Sequence, residues 1–173
     1  MKTYEINKNE RTPDVIDSLT CVWEESVRAS HTFLTESDIA NLKPFVREAL
    51  AGIESLVVAH NGSTYTAFIG IQGNKIEMLF VSPAHFGEGI GKHLVNMAIQ
   101  KYKTTLVDVN EQNPKATGFY KHLGFKTFRR DDTDDQGNPF PILRMRMWKK
   151  PHTTRANKKQ ASDFTHLVIK SGA

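Results

Sequence analysis

One cysteine in 173 residues removes two kinds of chemistry at the outset. Cys21 alone forms no internal disulfide, and no multi-cysteine metal site can be built around it. Long apolar runs are missing too, and none approaches the ~20 residues that a membrane span needs. The N-terminal stretch MKTYEINKNER lacks the apolar core of a secretory signal. These absences predict a cytoplasmic protein with no metal and no membrane partner. Repeats and low-complexity tracts are absent as well. What is present, 39% hydrophobic and 24% charged residues, is the make-up of an ordinary globule. The length suits one domain with its own core.

The net charge of +4 is unevenly held. Residues 149–173 carry six Lys or Arg against Asp163 alone, which leaves −1 for the first 148. The expected division is a domain over 1–148 and a basic C-terminal extension over 149–173. Nucleic-acid binding calls for cations interleaved with aromatics on a folded face, which the extension does not offer. It reads as a solvated arm, with the run FTHLVIKSG either adding an edge strand or packing on the body.

Hydrophobic periodicity sets the scaffold. Residues 3–6 read as a strand. Val15, Ile16, Leu19, Val22, Trp23 and Val27 mark a helix over 14–30, with Cys21 assigned to its apolar side. Thr35 and Asp38 resemble a capping box for a second helix, which Gly52 ends near residue 50. Strands at 56–60, 65–71 and 76–81 are separated by Asn-Gly and Gly-Asn turns, hence a meander of hairpins. Ile90, Leu94, Met97 and Ala98 give a third helix its apolar face. A strand at 105–109, a helix at 114–123 and strands at 125–130 and 142–148 complete the chain. Leu143, Met145 and Met147 alternate with Arg144 and Arg146 in the last strand. The pattern is a mixed α/β (α+β) sheet of six or seven strands with about four helices, mostly antiparallel, with one βαβ crossover.

That crossover carries the chemistry. The strand IEMLFV runs through Ser82-Pro83 into HFGEGIGK, where a helix is expected to begin on Gly87, Gly89 and Gly91. Such a start offers several backbone N–H groups with little side-chain obstruction, and a diphosphate is their natural guest. The dinucleotide pattern G-x-G-x-x-G fails in both registers, ending on Lys92 or Leu94. The nucleotide P-loop fails as well, because Phe86 stands for its first Gly and His93 for its Ser or Thr. A second block, NEQNPKATGFYKHLGF, places Phe119 and Tyr120 on a short helix. Strand, glycine loop, helix, strand, Asn and a helix with Tyr argue for a coenzyme A pyrophosphate site with a proton donor beside the thioester.

The two blocks resemble the signatures of the GNAT N-acetyltransferases. The first, V-x-P-x-x-(Q/R)-G-x-G-(I/V)-G-x-x-L, is met by Val81, Pro83, Gly87, Gly89, Ile90, Gly91 and Leu94, with Phe86 where the family has Gln or Arg. The second, N-x-x-A-x-x-F-Y-x-x-x-G-F, is met by Asn113, Ala116, Phe119, Tyr120, Gly124 and Phe125. WEESVRASHTFL and DDQGNPFPIL are similar to the small bacterial YjaB-like subgroup, so the resemblance covers roughly residues 3–148. It implies the GNAT fold, acetyl-CoA as co-substrate, and a primary amine of a small molecule or a protein lysine as acceptor. It also implies that strands 76–81 and 105–109 splay, so that the pantetheine arm runs between them. Leu79, Phe80 and Val81 would then bond the arm through their backbone, one N–H facing the thioester oxygen, where such a bond is worth ~3 kcal/mol. Phe86 removes a side-chain contact to the pyrophosphate. An acetyl-CoA sensor without turnover is the alternative, and an acetylation partner bound to nucleic acid through the basic extension is a third class.

Acetyl transfer needs a gripped donor, a polarised carbonyl, a neutral amine and a proton for the thiolate. The grip falls to the N–H groups of Gly87, Glu88, Gly89, Ile90, Gly91 and Lys92, and the Lys92 ammonium either meets the phosphates or is a solvated first-turn lysine. Tyr120, a phenol protonated at neutral pH, is the candidate acid or an anchor for the sulfur. Asn110 and Asn113 cap the following helix or reach the pantetheine amides. Glu77, expected on one face with Leu79 and Val81, and Asp108 on the partner strand are the candidate bases if burial raises them towards neutrality. His31 and Phe33 are candidates for the acceptor pocket, with Phe140 as a further apolar wall. The loop 131–140 has four Asp and no Lys or Arg, and is either a solvated turn-rich loop or, if it overhangs the site, a negative rim that would favour cationic acceptors such as lysine side chains, polyamines or aminoglycosides. Cys21 is not expected to carry an acyl group, so direct transfer in a ternary complex is predicted, by a monomer or homodimer.

Overall fold

The structure, a computed structural model, describes residues 1–135 and 137–148. The expected basic extension, with its FTHLVIKSG run, lies outside the described residues. Seven strands form one sheet in the order β1-β2-β3-β4-β5-β7-β6. They are β1 (Lys2–Glu5), β2 (Ser55–Asn61), β3 (Thr64–Gln72), β4 (Lys75–Val81), β5 (Leu106–Asn110), β6 (Phe125–Asp131) and β7 (Ile142–Met147). Four α-helices accompany them: α1 (Pro13–Ser30), α2 (Glu36–Gly52), α3 (Ile90–Lys101) and α4 (Pro114–His122). Among the described residues no helix is long and apolar enough to cross a membrane.

Capping explains where the helices start. Thr12 caps α1 by accepting from Val15 N, and Pro13 fills the first turn, where its missing N–H costs nothing. The Thr35–Asp38 box at α2 is present in both directions, with Asp38 N on Thr35 Oγ1 at 3.2 Å and Thr35 N on Asp38 Oδ2 at 2.8 Å. At the far end of α2, the Arg11 guanidinium donates to the carbonyls of Ala51 and Ile53 at 3.1 and 2.6 Å. It thereby satisfies acceptors that a helix terminus leaves open.

Two apolar layers sandwich the sheet. Leu19, Trp23 and Val27 of α1 and Val46 and Leu50 of α2 pack on Leu56, Val58, Phe68, Met78 and Phe80. On the other face Leu94, Val95 and Ala98 of α3 and Ala116 and Tyr120 of α4 pack on Ile69, Leu79, Val81, Val107, Val109 and Met145. Cys21 is exposed, not on the apolar side as expected. The buried stripe of α1 runs through residues 16, 19, 20, 22, 23, 26 and 27 and leaves position 21 outside it.

Two irregularities shape the centre of the sheet. The parallel ladder between β4 and β5 holds only Lys75↔Leu106 and Ile76↔Val107, after which the strands part. Against β3 the register jumps from Gly70↔Met78 to Ile71↔Ile76, so Glu77 is the extra residue of a β-bulge. The bulge interrupts the alternation of side chains. Ile76 joins Leu79 and Val81 on the α3–α4 face, whereas Glu77 reaches Lys75 on the other. The expectation that Glu77 shares a face with Leu79 and Val81 is therefore corrected.

Candidate active site

Beyond Val81 the chain makes one 3-10 turn at Pro83–His85, then bends through Gly87 at φ 81° and Gly89 at φ 78°. Both values lie in the left-handed region that glycine enters without penalty. Helix α3 opens at Ile90 with Gly89 as its cap, rather than at Gly87 as the sequence suggested. The first backbone bond into the helix is His93 N to Gly89 O at 3.0 Å. Among the described residues, the six amides from Gly87 to Lys92 donate to no backbone carbonyl.

The bend borders a cavity of about 400 Å³ lined by Val81, Phe86, Gly87, Gly89, Gly91, Lys92 and Phe119, among others. Ile90 also lines it, while the Glu88 carboxylate turns to His85, 3.2 Å from Nδ1. Lys115 and His122 line the cavity too, and were not foreseen. Their spacing held the signal: residues 115, 119 and 122 fall on one helical face, so Phe119 brings the lysine and the imidazole with it.

At the end of β5, Asn110 Oδ1 accepts from Gln112 N at 2.8 Å, and Asn113 Oδ1 accepts from Ala116 N at 3.0 Å. Both side chains are buried, and neither Nδ2 has a hydrogen-bond partner among the described residues. Leaving a buried donor unsatisfied costs about 1–3 kcal/mol, so two such donors near the end of β5 are unusual. For Asn113 the helix cap is present, made through Oδ1. Leu79, Phe80, Ala116 and Tyr120 are fully buried. Phe80 turns to the α1–α2 layer against Phe68, 5.5 Å between ring centroids. Tyr120 packs edge-on to Phe119 and Phe125 at 5.0 and 5.5 Å, in one cluster with Leu79 and Val81.

The two candidate bases meet through a lysine that the sequence did not single out. Lys75 Nζ lies 3.2 Å from Glu77 Oε1 and 2.6 Å from Asp108 Oδ2. Asp108 Oδ2 also accepts from Arg144 Nη1 at 2.5 Å. Burial alone would lower the Lys75 pKa, but the Glu77 and Asp108 carboxylates outweigh it and hold the ammonium above its ordinary value. Arg144 goes on to bind Asp131, 2.8 Å from Nε, and Asp135. Asp132 is taken by Arg130, and Asp134 folds onto Asn138. The acidic rim expected of the loop 131–140 is thus largely neutralised by arginines from β6 and β7, outside the loop.

The rings expected at an acceptor pocket lie near one another. Phe33, just after α1, lies 5.4 Å from the His31 ring and 5.9 Å from Phe140 of the loop. His31 is buried, with Nδ1 2.9 Å from Ser30 Oγ. Among the described residues no group of three or more His, Cys, Asp or Glu is placed to hold a metal ion.

Comparison with known proteins agrees with this geometry. Residues 24–148 match the profile of the Acetyltransferase (GNAT) domain. The chain is 36% identical over 129 residues to the peptidyl-lysine N-acetyltransferase YjaB of Salmonella typhimurium, covering 75% of this chain and 89% of the relative. The solution structure of apo YjaB from Escherichia coli superimposes with a TM-score of 0.73 at 33% identity, covering 85% of this chain and 98% of that one. The PaiA N-acetyltransferase of Thermoplasma acidophilum, solved with coenzyme A, shares the fold at 22% identity and a TM-score of 0.62, covering 86% and 100%. The chain belongs to the GNAT family of acetyltransferases, which use acetyl-CoA to acylate amines.

Proposed function

We propose that the protein transfers the acetyl group of acetyl-CoA directly to a primary amine, and that this amine is a protein lysine side chain. One observation carries the reading: the six successive amides of the Gly87–Lys92 bend have no backbone acceptor among the described residues, and five of those residues, all but Glu88, line a cavity. The bend takes the pyrophosphate through its N–H groups, aided by the N-terminal end of the α3 dipole. Lys92 and Lys115 supply charge there that Phe86 cannot. Pantetheine lies between β4 and β5, where the Nδ2 groups of Asn110 and Asn113 meet its carbonyls and the backbone of Leu79–Val81 completes the pairing. One N–H of that edge faces the thioester oxygen and stabilises the oxyanion as it forms.

The acceptor enters on the side of His31 and Phe33. Glu77 takes a proton from the incoming ammonium, directly or through a water, and so frees the lone pair of the amine. Asp108 Oδ2 is already committed to two cations and fixes Lys75 and Arg144 in place. The amine attacks the thioester carbon, the C–S bond breaks, Tyr120 protonates the departing thiolate, and the proton then shed by the new amide nitrogen restores the phenol. Holding amine and thioester in contact supplies much of the remaining acceleration. A cytoplasmic location suits an exposed, reduced Cys21.

The test is calorimetry of the purified protein with acetyl-CoA, then free-thiol release with lysine peptides, polyamines and aminoglycosides. Saturable binding with release on lysine peptides is expected. No heat at millimolar acetyl-CoA would remove the grip, and release only on small amines would remove protein lysine as acceptor.

A further inference from the structure

The sheet face that carries Asp108 continues across β7 and β6 into a patch with no part in the chemistry so far. Leu143 and Met145 of β7 point into the α3–α4 layer, so Arg144 and Arg146 point the other way. Lys126 stands across from Arg146, and residues 126–130 are all exposed. The Arg146 guanidinium lies over the Phe128 ring at 4.7 Å, and Lys126 Nζ lies over the Trp148 ring at 5.2 Å. Both aromatics are more than half exposed, at 54% and 62%. Arg129, Arg130 and Arg144 are each bound to carboxylates. Lys126 and Arg146 have no ion pair among the described residues. A ring holds a cation in position without cancelling its charge. Two held cations and two bare aromatics on a flat face make a recognition surface rather than a solvated one.

The sign of the charge selects the occupant. A second copy would set these cations against their own images. The chain's residues 149–173 are themselves basic, six Lys or Arg against one Asp, so they are repelled as well. An anionic partner fits. Arg146 follows Arg144, the ligand of Asp108, by two residues along β7, so the patch begins about 7 Å from the carboxylate network. We infer that this face docks an acidic segment of the acceptor protein, with Asp or Glu a few residues from the lysine to be acetylated. The inference rests on protein lysine being the acceptor. A nucleic acid is a poorer match, because Arg129, Arg130 and Arg144 are already paired with carboxylates, and the two cations left, Lys126 and Arg146, are too few to follow a run of phosphates.

The test uses the full chain and three peptides of equal length, each with one lysine flanked by Glu, by Gln or by further positive charge. With the Glu peptide kcat/KM should exceed that with the Gln peptide by about tenfold at low salt, through KM, and the gap should shrink as salt rises. The double variant Lys126→Gln, Arg146→Gln should lose the preference while kcat and the rate on the Gln peptide stay unchanged. Arg146→Lys should keep most of it. Fluorescence anisotropy of a labelled Glu peptide on the coenzyme A-saturated protein should show the same loss of binding in the double variant. Equal use of Glu and Gln peptides by the wild type overturns the docking and leaves the acceptor reading standing. Acetylation of neither peptide removes the acceptor reading, and with it a docking role in acetylation, even if anisotropy still detects the Glu peptide. A labelled single-stranded oligonucleotide that binds the wild type but not the double variant, without any peptide preference, assigns the patch to nucleic acid and overturns the inference.

Discussion

Gly89→Ala isolates the feature on which cofactor binding depends. At φ 78° an L side chain costs roughly 1–2 kcal/mol in backbone strain. A Cβ at this position meets nothing within 4 Å, so the substitution adds strain without a clash inside the protein. Where that strain appears depends on the bend. If the bend keeps its shape without ligand, stability falls by the whole amount, and Tm drops by about 2–8 °C for a chain of this size. If the bend relaxes when empty, the strain reappears on binding, and Kd for acetyl-CoA rises about 5–30-fold. Thermal unfolding and calorimetry together must therefore recover about 1–2 kcal/mol.

Gly118→Ala supplies the control. Gly118 is an exposed residue inside α4 with ordinary helical φ and open space at its Cβ. Alanine there should stabilise by about 0.5–1 kcal/mol and leave cofactor affinity alone. If Gly89→Ala matches the wild type in both Tm and Kd, the left-handed bend is not what presents the amides.

Three further outcomes follow from the site and its supports. Tyr120→Phe should lower kcat by at least about 100-fold while Kd for acetyl-CoA by calorimetry stays within about twofold, and normal turnover would end its role as the acid. Asp108→Asn weakens the link between the half-buried Lys75 and Arg144 cations, which keep Glu77 and Asp131 as partners, so urea or thermal unfolding should register a loss of about 1–3 kcal/mol, and Lys75→Met in the same chain should return part of it. Glu5 is held below its ordinary value of 4.5, chiefly by the Lys101 hydrogen bond and then by Tyr102. Its contribution is therefore complete above pH 4.5 and lost as pH falls through the lowered folded value, so Glu5→Gln should flatten the acid limb of a Tm–pH profile.

Residues whose role depends on local pattern were legible in the sequence, and residues whose role depends on register were not. The Thr35–Asp38 cap, the Asn-Gly and Gly-Asn turns and the alternation in β7 use neighbours within four positions, and all stand in the structure. The glycine bend is likewise a local feature. Glu77 was misplaced because IEMLFV is apolar on both sides of it, so nothing in the run reveals an extra residue. Lys75 and Arg144 were passed over because their partner Asp108 lies on another strand, reached only once the strand order is known. The loop 131–140 was read as a bare acidic rim for the same reason. Its counter-ions, Arg130 and Arg144, flank it on the two strands it joins.

The bulge itself ties these observations together. The β4–β5 ladder ends at Ile76, and the next residue, Glu77, is the one that the β3 ladder cannot accommodate. A bulge raises local twist and bends its strand, so the extra residue turns β4 away from β5 where pairing stops. Deleting residue 77 tests this directly. It would set Ile76 against Ile71 and Met78 against Gly70 in unbroken succession, with Ile76, Leu79 and Val81 still facing one layer and Met78 and Phe80 the other. Both cores survive such a deletion, so the protein should fold and unfold cooperatively. The straightened strand should zip further along β5 and close the channel, weakening acetyl-CoA binding at least about tenfold. Glu77→Ala removes the same carboxylate but keeps the extra residue, so its acetyl-CoA affinity should remain near that of the wild type while turnover falls. Equal affinities for the deletion and the alanine variant would mean that the strands part for some other reason.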